Sequence, residues 1–420
     1  MAWTRNHAVN KSRHKLQCNL SPIETDCRLQ HTAYSTSPMS TAALPSKPPE
    51  KKKLKLNTYH FWSPRFWHGM CLGDWLKMLA RGRFRIHPLR MVMALIITFC
   101  AIFNSACAFL QRLIYGRRIA ATEIKEPPIF IIGHWRSGTT YLHELMVRDE
   151  RFAYPTYYEC YEPNHVLISG WIAPILLWPL LPGKRPMDNM PMGWHRPQED
   201  EFALVAMGGP TPYYRCAFPN EPAPYNEFLD MQGCAPDDLE RWRFDMKRFV
   251  QILTFRKNKR LMMKSPPHTG RVEELARLFP GAKFIHIVRD PYTVFPSTRR
   301  LWVALDWAQS FQHPHHKDLD EYILATFERM YRGFFRQQSS IPANQLCELK
   351  YEDLVRDPLG EIRKIYEQLE LGDFSTVSDK IAAHVGEQKD YKTNRHEFEP
   401  ELRSEIRRRW SDYFERYGYE

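Results

Sequence analysis

The chain alternates short, uniformly apolar runs with longer stretches in which apolar side chains return every three or four positions. The runs at 129–132 (IFII), 260–264 (RLMMK), 283–288 (KFIHIV) and 345–350 (QLCELK) are bounded by proline, glycine or charge. Apolar runs of this length read as strands buried on both faces of a sheet. Helical spacing begins at Thr139, where Tyr141, Leu142, Leu145 and Met146 fall on one face. It returns at 235–255 with Asp237 as the expected N-cap, then at 271–278, 318–338 and 358–369. Strand 129, helix 139, strand 260, helix 270, strand 283 and helix 293 alternate, which predicts an α/β fold with a central parallel sheet flanked by helices. Residues 153–163 read as an aromatic strand, 351–354 as the opening of a loop, and 400–417 as a charged helix with a solvated face.

The pattern changes before residue 127. Residues 1–56 are rich in Ser, Thr, Pro, Lys and Asn with few apolar clusters, so they are expected to be a disordered tail. They hold no apolar core of a secretory signal. Residues 57–126 form a second region, a helical and membrane-associating extension, and 127–420 the α/β domain. Within the extension, 91–110 is a run of 20 residues without a charge, long enough to cross a bilayer. Asn104 and Ser105 interrupt it, so a buried or membrane-surface helix is the alternative. Residues 165–181 are strongly apolar but cut by Pro174 and Pro179. They are expected in the core, with a pocket wall or a membrane-facing patch as the alternative.

Composition adds two constraints. A net charge of +11 and a pI near 9.1 describe either an undirected basic surface or one that steers anionic small molecules. No zinc-finger, RNA-recognition or helix-turn-helix pattern is present, so nucleic acid is not the expected partner. Nine cysteines are scattered without a CxxC pair. Reduced thiols and no metal site are the expectation, with a secreted domain holding one or two bridges as the alternative.

The chemistry concentrates where the first strand ends. Residues 133–140 read GHWRSGTT. Strand, glycine-bounded loop and helix aim backbone N–H groups and a helix N-terminus at a phosphate, as in P-loop nucleotide-binding folds. The loop departs from GxxxxGK[ST]. Thr139 stands where a triphosphate loop has its lysine, and the cation has moved back to Arg136. That departure argues against magnesium and ATP. A second strand end agrees: 283–288 runs into Arg289, Asp290 and Pro291, with Ser297 eight residues after the arginine. Such a pair suits a second phosphate.

With both stretches in view, the chain resembles the sulfotransferases that use 3′-phosphoadenosine 5′-phosphosulfate (PAPS). RSGTT, from Arg136 to Thr140, resembles their 5′-phosphosulfate loop. IVRDPYTVFPS, from Ile287 to Ser297, resembles their 3′-phosphate signature, and KYEDL at 350–354 looks like the family too. The resemblance runs from about Pro127 to the C-terminus. It is nearest to the bacterial branch and to the membrane-tethered branch that modifies carbohydrates.

The resemblance implies transfer of a sulfonate from PAPS to a hydroxyl or amine of a carbohydrate, lipid or small molecule. Arg136, Ser137, Gly138, Thr139 and Thr140 would bind the donor at its 5′ side. Arg289 and Ser297 would take its 3′-phosphate, and Lys264, at a strand end, is a further donor contact. In the family a late basic loop closes on the 3′ side, which makes Lys392 and Arg395 candidates in 386–396. A base must accept the acceptor's proton. The segment at 193–204 reads GWHRPQEDEFAL, and Glu199 is the first choice, His195 the second, with His268 behind them. Glu199 and Asp200 differ by about 100° around a helix, so only one can face the site. In a bacterium such an enzyme is expected in the cytoplasm or on its membrane; in a eukaryote, on a Golgi-type membrane. The rival readings are a P-loop kinase using Mg-ATP and a catalytically inactive nucleotide-binding scaffold.

Overall fold

The computed structural model describes residues 59–60, 62–185, 190–387 and 400–420. The expected tail at 1–56 and the candidates Lys392 and Arg395 lie outside the described residues.

Five strands form the sheet: β1 Ile129–Ile132, β2 Phe152–Ala153, β3 Arg260–Lys264, β4 Lys283–Val288 and β5 Leu346–Lys350. Their order is β2-β3-β1-β4-β5 and every pairing is parallel. All four β1 side chains are buried. Ile129 and Ile131 enter a core on one face with Met262, Ile285 and Leu349; Phe130 and Ile132 enter the opposite core with Met263, Phe284 and Val288. A strand whose alternate side chains are both apolar therefore lies between two helical layers. The order places β3, β1 and β4 side by side. Their carboxyl ends, at Lys264, Gly133 and Arg289, thus open onto one edge of the sheet, where ligands bind in open α/β folds.

The helices before the sheet are α1 Leu72–Arg81 and α2 Met91–Ala120. α2 packs along the domain through Ala94, Ile97, Ala101, Asn104, Gln111 and Ile119. The helix that follows the first loop is α3 Thr139–Met146, with Leu142, Leu145 and Met146 buried as expected and Tyr141 half-buried.

Several expectations are corrected. Of the aromatic stretch at 153–163 only Ala153 pairs as a strand, together with Phe152 before it. Tyr157–Tyr161 is a helix, because Thr156 caps it and Glu159 bonds back to the Thr156 N–H at 2.8 Å. Helix Pro236–Lys257 begins at Ala235, with Pro236 in its first turn and Asp237 behind it rather than at the cap. Tyr351–Arg356 is helical, not a loop. The terminal segment is two helices, Pro400–Arg409 and Ser411–Tyr417, and it buries Ile406, Trp410, Tyr413 and Phe414 instead of forming a solvated face. Residues 165–181 are core only in part: Val166 is buried beside Tyr158 and Trp194, but Trp171, Ile175, Leu176 and Trp178 are largely exposed. Prolines 174 and 179 break the segment into single turns too short to bury a continuous stripe.

Candidate active site

The loop from Gly133 to Gly138 holds a conformation that its glycines make possible. Gly138 has φ +107°, and a Cβ there would meet the Tyr351 ring at 2.3 Å. At Gly133, with φ +143°, it would meet the Ile287 carbonyl at 2.4 Å. The Gly133 N–H donates to Thr269 Oγ1 at 2.8 Å, which ties the loop to the segment after β3. Arg136 is also left-handed, at φ +71°, a strained state for a residue with a side chain. The first turn of α3 follows at once, so its leading N–H groups project from the helix end toward the loop. Ser137 Oγ is buried and has no hydrogen-bond partner among the described residues.

Three sequence candidates meet on one side of this loop. Arg136 Nε donates to Ser297 Oγ at 2.9 Å. Arg289 Nη1 donates to the Arg136 carbonyl at 3.0 Å. The Arg289 guanidinium also lies 4.1 Å from the centre of the Tyr351 ring, and its backbone N–H donates to Tyr413 Oη at 3.0 Å. Tyr351 and Tyr413 therefore hold the arginine in place. Both were invisible as site residues in the sequence, although KYEDL had drawn attention to Tyr351.

On the other side stands Lys264, buried at the end of β3. Its Nζ lies 2.9 Å from Glu199 Oε1 and 3.5 Å from Thr140 Oγ1. Burial pushes the Lys264 ammonium below its ordinary pKa, against the pull of the Glu199 carboxylate. Glu199 Oε2 accepts from Tyr213 Oη at 2.6 Å, and that hydroxyl accepts from Trp135 Nε1 at 2.8 Å. Trp135 belongs to the loop itself. Glu199 is thus fixed from two sides, with one oxygen toward a cation and one toward a phenol. The loop has no lysine of its own, and Lys264 brings an ammonium to it from the neighbouring strand.

The next two acids point elsewhere. Asp200 pairs with His268 Nε2 at 2.5 Å and Glu201 with Arg271 at 2.7 Å, and all four side chains are buried. Burial works against the Asp200 charge, but the His268 charge and hydrogen bond hold its carboxyl below the usual range. Glu201 also accepts from Thr211 at 2.6 Å. Glu199, Asp200 and Glu201 therefore match Lys264, His268 and Arg271 one by one. His268 is enclosed in its pair and packed edge-on against Phe130 of β1. His195 is exposed, and among the described residues no hydrogen bond or ion pair joins it to the loop. Among the described residues no three His, Cys, Asp or Glu side chains gather as a metal site.

A family model described as the sulfotransferase family matches residues 127–375, from the start of β1 to past β5. The chain belongs to the sulfotransferase family. It is 41% identical over 366 residues to the omega-hydroxy-beta-dihydromenaquinone-9 sulfotransferase Stf3 of Mycobacterium bovis and of Mycobacterium tuberculosis, covering 87% of this chain and 94% of the relative. Two crystal structures share the fold at lower identity. Sulfotransferase STF9 from Mycobacterium avium superposes with a TM-score of 0.59 at 16% identity, over 83% of this chain and 96% of that one. Sulfotransferase STF1 from Mycobacterium tuberculosis gives 0.58 at 16% identity, over 81% and 92%. This sulfotransferase is an enzyme of sulfonate transfer, with its matched region covering β1, the loop, β3, β4 and β5.

Proposed function

We propose that this sulfotransferase uses PAPS as donor and a hydroxyl on an apolar, lipid-like molecule as acceptor, and that it works in association with a membrane through 91–110. The observation that carries the donor assignment is the cradle around Arg136. Ser137 Oγ is buried without a partner, the helix end of α3 faces the same space, and Arg136, Arg289 and Ser297 gather on one side. That set fits a nucleotide with two separate phosphate groups. PAPS supplies the activated sulfonate and the 3′-phosphate that Arg289 and Ser297 would hold.

The residues divide the work. Backbone N–H groups of Gly138 to Thr140, with Arg136 and Lys264, stabilise negative charge on the sulfonate and on the departing 5′-phosphate. Donors of this kind are worth ~3 to 4 kcal/mol each when removed. Glu199 takes the proton from the acceptor hydroxyl. Tyr213 and Trp135 orient it, and Lys264 keeps it beside the loop.

For the acceptor, a narrow aromatic crevice, with free space for about one water, is lined by Phe66, Tyr157, Cys160, Tyr161, Gln198 and Phe202. Gln198 adjoins Glu199, and Phe202 stacks on Tyr213, the phenol that binds it. Such walls suit an apolar chain or ring better than a glycan. The Stf3 relatives are named for a hydroxylated menaquinone, which supports the same class.

Calorimetric titration with 3′,5′-bisphosphoadenosine and, separately, with Mg-ATP tests the donor. Micromolar, metal-independent binding of the bisphosphate and none of Mg-ATP is expected. A preference for Mg-ATP would overturn the donor assignment.

A further inference from the structure

The face of α2 turned away from the protein is apolar along its length. From Val92 to Ile114 it runs about 33 Å. Leu95, Phe99, Phe109 and Leu113 stand 65 to 78% exposed. Trp171 and Ile175, in the short turns that follow 165, are 73% and 72% exposed. Those turns adjoin the C-terminal half of α2, because Gln111 donates to the Asn164 carbonyl at 2.8 Å and accepts from the Leu167 N–H at 2.7 Å. The exposed apolar surface is therefore one continuous region, not scattered side chains.

Charge identifies what covers it. Between residues 75 and 122 there are eight lysines and arginines and no aspartate or glutamate. Arg83 and Arg85 flank the start of the helix, and Arg112, Arg117 and Arg118 lie toward its end, all exposed. A second copy of this chain would bring an equally cationic surface against it. An anionic lipid leaflet matches both the apolar stripe and the basic flanks.

The opposite face of α2 decides the orientation. Asn104, at mid-helix, donates to the carbonyls of His68 and Met70 at 2.5 and 3.2 Å, and its oxygen lies 3.2 Å from His165 Nε2. His165 is paired with the buried Glu162 at 2.8 Å. Ser105 accepts from the Leu72 N–H, and Trp75 donates to Thr98. A helix crossing the bilayer would carry these carbonyls and the Glu162–His165 pair into hydrocarbon, where polar groups are costly.

We propose that α2 and the turn carrying Trp171 and Ile175 form an in-plane docking surface for an anionic lipid leaflet, with the helix lying on the membrane and not through it. The inference deepens the membrane association proposed above and rests on it. Flotation tests the association and labelling at the two helix ends tests the orientation, so a failure of one reading is told from a failure of the other.

The test is flotation of the full chain with vesicles of phosphatidylcholine alone and of phosphatidylcholine with phosphatidylglycerol. Stronger flotation with the anionic vesicles is expected, weakened at about 1 M salt, where charge attraction reaches only about 3 Å. The double variant Phe99→Asp with Leu113→Asp should lose binding at least ~10-fold while keeping donor affinity, which shows that it is folded. Equal flotation of the variant, or no flotation of the full chain, overturns the proposal. So does a dimer that the double variant dissociates, since the face would then be a protein interface. For orientation, Arg83→Cys and Arg117→Cys are bound to sealed vesicles and treated from outside with an impermeant maleimide. Labelling of both above the unsubstituted chain is expected, and labelling at one end only means that the helix spans.

Discussion

Glu199, Asp200 and Glu201 are consecutive and chemically alike, yet the fold gives them different work. Glu199 meets Lys264 and Tyr213 beside the loop, while Asp200 and Glu201 are sealed with His268 and Arg271. Glu199→Gln should lower kcat at least ~100-fold and leave donor affinity intact, since it removes a base and no donor contact. Near-normal turnover would remove Glu199 from that role. Asp200→Asn should behave in the opposite way. It leaves His268 without its buried partner and costs about 3 to 5 kcal/mol of stability, seen as a lower Tm, with kcat of the folded enzyme little changed. A kcat loss in Asp200→Asn with unchanged Tm would contradict the division. Arg289→Ala should weaken bisphosphoadenosine binding at least ~10-fold, the worth of a charged hydrogen bond; unchanged affinity would remove the 3′-phosphate assignment. Arg136, Arg289 and Ser297 were legible in the sequence because each sits at a strand end or the next helix start. Which acid faces the loop was not legible. That choice is made by partners some 65 to 70 positions away, and Tyr213 comes from a segment with no periodic pattern.

At the scale of elements, the C-terminal helices were the largest misreading. Their charges are dense, but Trp410 stacks on Phe327 at 3.7 Å between ring centres, and Tyr413 reaches the Arg289 backbone. Four buried apolar residues within nine positions are a weak signal in a run of arginines and glutamates. Glu348 of β5 fastens this segment, accepting from Tyr417 and Arg416 and pairing with His286 of β4 at 2.8 Å. Burial works against its charge, yet the His286 hydrogen bond and charge and the Tyr417 hydroxyl bring its pKa from 4.5 down to about 2. A carboxyl depressed on folding stabilises the native state above its unfolded pKa and loses that contribution as pH falls toward the folded one. Glu348→Gln should therefore cost on the order of 2 kcal/mol at neutral pH. The gap in Tm between it and the parent should close between pH 4.5 and about 2. A gap independent of pH would mean that Glu348 acts by shape alone. Strands β1, β3 and β4, by contrast, were legible to the residue, because nearly every position in them is buried, whereas the two-residue β2 was not.

At the scale of the whole molecule, the parallel sheet followed from the alternation of strands and helices, but its order did not. Long insertions between β2 and β3 and between β4 and β5 hide which strands are neighbours. The net charge of +11 belongs to this scale as well. It should steer an anionic donor, so kcat/KM for the donor should fall as ionic strength rises while kcat holds. A flat salt response would leave the charge to the membrane surface. The seating of α2 has a practical side. An apolar N-terminal helix is commonly regarded as a tether and trimmed away to obtain a tractable enzyme. Here the inner side of that helix roofs the hydrophobic core beside Trp67 and Trp75, and its amides anchor the turns before and after it. Cutting it off would unroof the catalytic body instead of releasing it, so better-behaved protein must come from repainting the outer stripe, one side chain at a time.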